Sequence, residues 1–221
     1  ILLLWLYGGN DKLSYTCILQ QMCISMVCIF GIRLLGNIYG QVWRYGGIQC
    51  YMRLIFADGT AESKVTLAMA KVLKTKLLNA GYDVLMIRES DDVQLDNIAR
   101  TVIANNNADC HIALHWDSTS SNKGAFFMSV PSNATYRAME PVASHWKQHN
   151  QLGESLISGL KSAGVKIYSK GSMEMDLTQT SYSTIPSVDI ELGDKASDHS
   201  GATLETLANG LLAGVNTFFG Q

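Results

Sequence analysis

Short apolar runs alternate with longer amphipathic segments from Asp58 to the C-terminus, and this alternation is the feature that most restricts the fold. The segment 62–79 carries apolar residues at a period near 3.6, which predicts a helix that Gly81 ends. The run 83–88 that follows is short and apolar, as in a buried strand. Strands that alternate with helices favour parallel pairing, with helices on both faces of the sheet.

The same pattern extends along the rest of the chain. Further helices are predicted over 95–106, over 134–164 with a break near Asn150, and over 203–219. Further strands are predicted over 109–115, 124–130, 165–168 and 187–192. The sequence therefore predicts an α/β domain over residues 55–221, with a mixed, mostly parallel sheet covered by helices on both faces.

The first 54 residues differ from the rest of the chain in charge and in cysteine content. They hold four basic residues and one acidic residue, whereas the remainder holds 13 basic and 18 acidic residues. Four of the five cysteines also lie there, at positions 17, 23, 28 and 50, and no C-x-x-C pair indicates a zinc ribbon. We treat residues 1–54 as a hydrophobic, cysteine-rich segment that is either an anchor or export segment or a start that is not native to the domain.

Residues 13–32 form an uncharged stretch between Lys12 and Arg33. Roughly 20 mostly apolar residues are enough to span a membrane, so this stretch is a candidate membrane anchor, although Gln20 and Gln21 dilute its apolar character. A membrane-anchored structural protein is therefore one alternative for the function. The net charge of -2 gives no electrostatic support for nucleic-acid binding.

Three side chains suited to metal binding or proton transfer fall at one edge of the predicted sheet. Ligands of such sheets bind at the carboxyl ends of the strands, and His115 and Glu191 each lie at the end of a predicted strand. Glu62 opens the first helix, so the loop before it leads to the same edge. Taken alone, Glu62 could serve only the helix dipole. Asp189 alternates onto the same strand face as Glu191, which an ordinary polar face would also explain.

Four segments, in order along the chain, each match a motif of one known protein family. Glu62, the helix after it and the G-Y-D-V-L-M-I-R segment resemble the family's ligand glutamate, helix and strand. The segment L-D-N-I-A-R with the later A-N resembles L-x-x-R-x-x-x-A-N, and H-I-A-L-H with D-S resembles S-I-H-x-N-S. P-S-V-D-I-E-L-G, at 186–193, resembles P-x-x-L-V-E-x-G. In order and spacing, the four segments resemble the zinc-dependent N-acetylmuramoyl-L-alanine amidases of the amidase-3 type, over about residues 58–220.

The resemblance implies Zn²⁺ bound by two histidines and one glutamate, with Glu62 and His115 as metal ligands. It implies that Glu191 is the catalytic residue, which takes a proton from the zinc-bound water. The implied reaction is hydrolysis of the amide between N-acetylmuramic acid and L-alanine in peptidoglycan. The implied location is extracellular or at the cell wall, after export across the bacterial membrane.

The chain departs from the family pattern at the second ligand histidine. That histidine lies in a D-P-G-H-G-G loop after the first strand, yet this chain has no histidine before His111. Residues 45–47 and 51–56 stand where the loop and the strand are expected, and neither stretch supplies a ligand. The family also often has an aromatic residue where this chain has Asp194. A non-catalytic peptidoglycan-binding domain that has lost its zinc site is therefore the alternative function.

The other histidines do not replace the missing ligand in any clear way. His111 and His115 lie about 13 Å apart along one strand, too far to bind one ion together. His145 and His149 have the i,i+4 spacing of a metal-binding helix, but the zincin motif needs a glutamate where Trp146 stands. His199 lies in a polar loop after Glu191 and is predicted to be solvated.

Overall fold

The computed structural model describes residues 16–21, 54–90 and 95–221. Its strands are β1 (Thr16–Gln21), β2 (Asp83–Met86), β3 (Cys110–Asp117), β4 (Ala125–Ser129), β5 (Ile167–Glu174) and β6 (Ser187–Asp194). They form one sheet in the order β2-β1-β3-β6-β4-β5, in which only β4 and β6 pair antiparallel. The prediction of a mixed, mostly parallel sheet is therefore confirmed.

Six helices of the described chain pack around this sheet: α1 (Glu62–Asn79), α2 (Asn97–Asn107), α3 (Ala134–Arg137), α4 (Val142–Ser162), α5 (Thr178–Tyr182) and α6 (Gly201–Phe219). Helix α6 packs along α4 and also contacts α1. Glycines make the α4–α6 contact close, because a Cβ at Gly159 would lie 2.2 Å from the Gly210 carbonyl oxygen. Within the described ranges, no helix has the length and apolar character needed to cross a membrane.

The helical segment predicted over 134–164 breaks at a different place from the one expected. Helix α3 ends at Arg137 and α4 begins at Val142, directly after Pro141, which lacks the N–H that a continuous helix would need. Asn150 lies inside α4, where its side-chain oxygen accepts the Val130 N–H at 2.9 Å. The break near Asn150 was therefore wrong, because that polar side chain ties the helix to the segment after β4.

The fifth strand is longer than predicted, and one helix was not predicted at all. The apolar pattern ended at residue 168, whereas β5 continues through exposed polar residues to Glu174. Strand β5 lies at the edge of the sheet, where polar side chains can face water. Helix α5 is five residues long and has no apolar stripe, so periodicity does not reveal it.

Strand β1 lies between β2 and β3 in the sheet, and it comes far earlier in the sequence than the first strand that we expected. Leu19 of β1 pairs with Met86 on one side and with Ile112 on the other. The part of the candidate anchor 13–32 that the structure describes is thus a strand of the sheet, because a short apolar run does not distinguish a buried strand from a helix. Residues 54–56, expected in the first strand, instead lead into a turn that an isolated Ile55–Ala61 bridge closes. The other residues of segment 1–54 lie outside the described ranges.

Candidate active site

The parallel register of β3 and β6 places polar side chains opposite one another. His111 pairs with Ser187, Ala113 with Asp189, and His115 with Glu191. Alternate residues of a strand point to the same face, so these positions form one polar row on the sheet. The row is buried, and it ends at the carboxyl edge with His115 and Glu191, which are 1% and 5% exposed.

Glu62 reaches the same edge from the start of α1. Its backbone N–H donates to the Leu54 carbonyl at 3.0 Å, which fixes the turn into the helix. Its Oε1 accepts the backbone N–H of Trp116 at 3.1 Å and lies 3.4 Å from Nδ1 of His115. The structure thus brings together Glu62, His115 and Glu191, the three residues that the sequence placed at this edge.

A third carboxylate, which the sequence reading left as part of an ordinary polar face, also contacts the histidine. Oδ2 of Asp189 lies 3.3 Å from Nε2 of His115. His115 therefore has a carboxylate at each ring nitrogen, Glu62 at Nδ1 and Asp189 at Nε2. The only sequence signal for Asp189 is its position two residues before Glu191 on the same strand face.

Burial and charge shift the acid–base properties of two of these groups. Burial alone would lower the pKa of His115, but the carboxylates of Asp189, Glu62 and Glu191 raise it well above its ordinary value. Burial raises the pKa of Glu191 well above the usual carboxyl range; His115 opposes this shift, and Asp189 and Glu62 add to it. One oxygen of Glu191, Oε2, is buried without a hydrogen-bond partner, so a proton or a ligand atom can occupy that position.

The site supplies two atoms that fit one metal ion. Two ligands of a tetrahedral zinc ion, each about 2.0–2.1 Å from the metal, lie roughly 3.3–3.4 Å apart. The separation of 3.4 Å between Glu62 Oε1 and His115 Nδ1 has this value. Three buried carboxylates also favour a divalent cation at this edge. Within the described residues, however, no group of three or more His, Cys, Asp or Glu side chains could hold a metal ion.

The remaining histidines have other partners. Nδ1 of His149 accepts the Ser187 N–H at 3.0 Å, and Nδ1 of His111 lies 3.2 Å from the Ser187 hydroxyl, at the opposite end of β6 from Glu191. His145 contacts the carbonyl of Pro141, the residue just before its helix, at 2.9 Å. His199, which was predicted to be solvated, is 22% exposed and contacts Asp58 Oδ2 at 3.1 Å. Its ring lies with its centroid 4.3 Å from that of Phe56, tilted by 38°.

Asp194 organises the loops that border the site. Its Oδ2 accepts the N–H groups of Ser121 and Lys123 at 3.0 and 3.2 Å and the Thr119 hydroxyl at 3.1 Å. Its Oδ1 accepts the Ala196 N–H at 2.9 Å. A carboxylate at the position of the family's aromatic residue thus ties the β3–β4 loop to the β6–α6 loop, a role that the sequence motif did not reveal.

A buried Glu–His–Glu cluster at the carboxyl edge of a mostly parallel α/β sheet is the kind of site that a hydrolase of this fold class carries. The sequence profile of the amidase-3 family, described as N-acetylmuramoyl-L-alanine amidase, matches residues 45–212, which is more than half of the chain. The chain belongs to this family. The match begins ten residues before the domain start that we predicted.

Solved structures of amidases share the fold. The amidase Ami1 of Mycobacterium smegmatis has a TM-score of 0.69 and 17% identity, over 95% of this chain and 99% of that one. The CwlD amidase of Clostridioides difficile, solved in complex with the GerS lipoprotein, has a TM-score of 0.65 and 18% identity, over 94% and 99% of the two chains. A comparison with curated proteins gives no match.

Proposed function

We propose that the chain is a zinc hydrolase that cleaves the amide between N-acetylmuramic acid and L-alanine in peptidoglycan, acting outside the cytoplasm at the cell wall. The observation that supports this most is the approach of Glu62 Oε1 to His115 Nδ1 at 3.4 Å, with Glu191 opposite His115 in the parallel register. The family membership supports the substrate class. We assign Glu62 and His115 as metal ligands and Glu191 as the catalytic residue.

In this proposal the protein groups divide the work of hydrolysis. A bound zinc ion would supply an acidified water and polarise the scissile carbonyl. Glu191 takes a proton from the attacking water and delivers it to the departing amine of L-alanine, while the carbon–nitrogen bond breaks and the lactyl carboxylate forms.

Metal content and cleavage, measured on the same purified chain, test the proposed function. We expect about one zinc per chain and the release of free L-alanine amino termini from peptidoglycan. Glu191→Gln should keep the zinc and lower the cleavage rate by about 100-fold or more, because general acid–base catalysis contributes factors of this size. Glu154→Gln, which changes an exposed residue of α4, is the matched control and should leave both unchanged.

The alternative is a peptidoglycan-binding domain without catalysis, which the absence of a three-ligand set within the described residues favours. Its signature would be a chain that sediments with insoluble peptidoglycan, contains no zinc and releases no amino termini. Full activity of the Glu191→Gln variant would also contradict the proposed mechanism.

A further inference from the structure

Strand β5, at the edge of the sheet, contains a wide bulge near its start. Ala125 of β4 pairs with Ile167, but Phe127 pairs with Ser172, so β5 advances from 167 to 172 while β4 advances only from 125 to 127. Three extra residues therefore lie in β5, and residues 168–170 are exposed. Bulges at sheet edges redirect a side chain and are frequent next to active sites.

The bulge turns the ring of Tyr168 toward the candidate active site. Ser169, the next residue, has a φ of 49°, in the left-handed region that a side chain disfavours. The ring of Tyr168 lies with its centroid 5.4 Å from that of Phe126, and Phe126 pairs directly with Glu191. Directly paired residues of antiparallel strands share a face of the sheet. Because neighbouring strands are about 4.8 Å apart, Tyr168 lies two strands, or roughly 10 Å, from Glu191.

Lys123 holds this ring from the side of the site. Its ammonium pairs with the carboxylate of Asp117, and it lies 4.6 Å from the centroid of the Phe126 ring and 4.9 Å from that of the Tyr168 ring. Its backbone N–H donates to Asp194 at 3.2 Å. The ring of Tyr168 is therefore positioned before any ligand binds, which lowers the entropy lost on binding.

The chemistry of this surface fits a sugar ring better than a charged peptide. Phe126 is fully buried, whereas Tyr168 is 38% exposed and so offers part of an aromatic ring to a ligand. The C–H faces of sugars stack on such rings. The ammonium of Lys123 is neutralised by Asp117, so it does not attract the carboxylates of a stem peptide. In the proposed substrate a lactyl group joins the sugar to the scissile carbonyl, which fits a separation of roughly 10 Å between Glu191 and Tyr168.

We propose that Tyr168 is a sugar-binding residue, on which the N-acetylmuramic acid ring next to the scissile amide stacks. The inference rests on the proposed function for the identity of the sugar. Binding to Tyr168 itself involves no proton transfer and no bond cleavage, so it can be measured without catalysis.

Two ligands that differ only in the sugar test the proposal. N-acetylmuramoyl-L-alanyl-D-isoglutamine carries the sugar, and N-(D-lactoyl)-L-alanyl-D-isoglutamine has the same amide and peptide without it. Both are titrated by NMR into the Glu191→Gln chain, so that neither is consumed. Tyr168→Ala and Tyr168→Phe are then added to this chain. Tyr182→Ala is the matched control, because Tyr182 is 53% exposed and lies in α5, at the opposite end of β6 from Glu191.

We expect the muramoyl ligand to bind more tightly than the lactoyl ligand. Tyr168→Ala should weaken binding of the muramoyl ligand by about 3- to 10-fold, the size of one aromatic stacking contact, and leave the lactoyl ligand unchanged. Tyr168→Phe keeps the ring and should bind both ligands as the parent chain does, as should Tyr182→Ala.

Three results would overturn the proposal. They are an unchanged affinity of the alanine variant for the muramoyl ligand, an equal loss for both ligands, and no binding of the muramoyl ligand to the Glu191→Gln chain. Should the alanine variant not fold, Tyr168→Leu, which keeps apolar bulk without a flat ring, is held to the same expectation.

Cleavage of the muramoyl ligand by the wild-type chain, measured in parallel, separates a failure of this inference from a failure of the proposed function. A chain that cleaves nothing, yet loses affinity for the muramoyl ligand alone on Tyr168→Ala, would contradict the proposed function and support the sugar site. A chain that cleaves the muramoyl ligand but binds it equally well with and without the ring of Tyr168 would contradict the sugar site alone.

Discussion

Gly193, two residues after Glu191, leaves no room for a side chain. A Cβ at this position would lie 2.6 Å from the Ser197 hydroxyl and 3.2 Å from the indole nitrogen of Trp116. We expect Gly193→Ala to lower the free energy of unfolding by about 1–3 kcal/mol, because the neighbouring groups must shift. Gly201→Ala is the control, since nothing lies within 4 Å of its Cβ and alanine favours the helix that begins there. Urea unfolding of the two variants checks this, and equal stability would contradict it.

For single residues, the sequence predicted which side chains lie together at the site but not every contact between them. Parallel strands bring their carboxyl ends to one edge, so the meeting of His115, Glu191 and Glu62 follows from the order of strands and helices. The contact of Asp189 with His115 does not, because it depends on the register of β6 against β3.

The loops after β3 and β6 form one unit because Asp194 accepts hydrogen bonds from both. Burial alone would raise the pKa of Asp194, but hydrogen bonds from Ala196, Lys123 and Thr119 lower it below its ordinary value. Its stabilising effect is therefore fully present above the unfolded-state pKa of about 3.9 and is lost as the pH falls through the lower folded-state pKa.

We expect Asp194→Asn to lower the free energy of unfolding at pH 7 by about 2 kcal/mol, because an amide nitrogen would face N–H donors in place of an acceptor. Amide hydrogen exchange should become faster across residues 119–123, since the backbone donors there lose their acceptor. Asp176→Asn, at an exposed site, should change neither quantity. Unchanged exchange in this loop would show that other contacts hold it.

Among the elements, those with a strong apolar period were the ones that the sequence predicted. Helices α1 and α6 and strands β3 and β6 lie close to their predicted ranges, because one face of each packs into the core. The place of β1 in the sheet was not predictable, since its pairing with β2 and β3 joins residues far apart in the sequence. The break between α3 and α4 could have been read from Pro141.

At the scale of the whole molecule, a second buried polar cluster joins four elements at the opposite end of β6 from Glu191. Ser187 of β6 bonds through its N–H to His149 of α4, and its hydroxyl contacts His111 of β3 and accepts from Gln179 of α5. Burial lowers the pKa of His111 to about 3 and that of His149 to about 4. Both rings are therefore neutral in the folded protein at physiological pH.

These shifts predict a loss of stability in mild acid. A histidine whose folded-state pKa lies below its unfolded value of about 6.5 binds a proton on unfolding, so stability falls as the pH drops below that value. Between pH 7 and pH 5, each of the two histidines should lower the free energy of unfolding by about 2 kcal/mol.

The His149→Asn variant tests this, because its side-chain oxygen can still accept the Ser187 N–H. When urea unfolding is measured at pH 7 and at pH 5, the free energy of unfolding of this variant should fall by about 2 kcal/mol less than that of the wild type. Gln151→Ala, at an exposed position of α4 without a titratable group, should keep the wild-type pH dependence. A pH dependence that is the same in the His149 variant and the wild type would mean that His149 is not held neutral by burial.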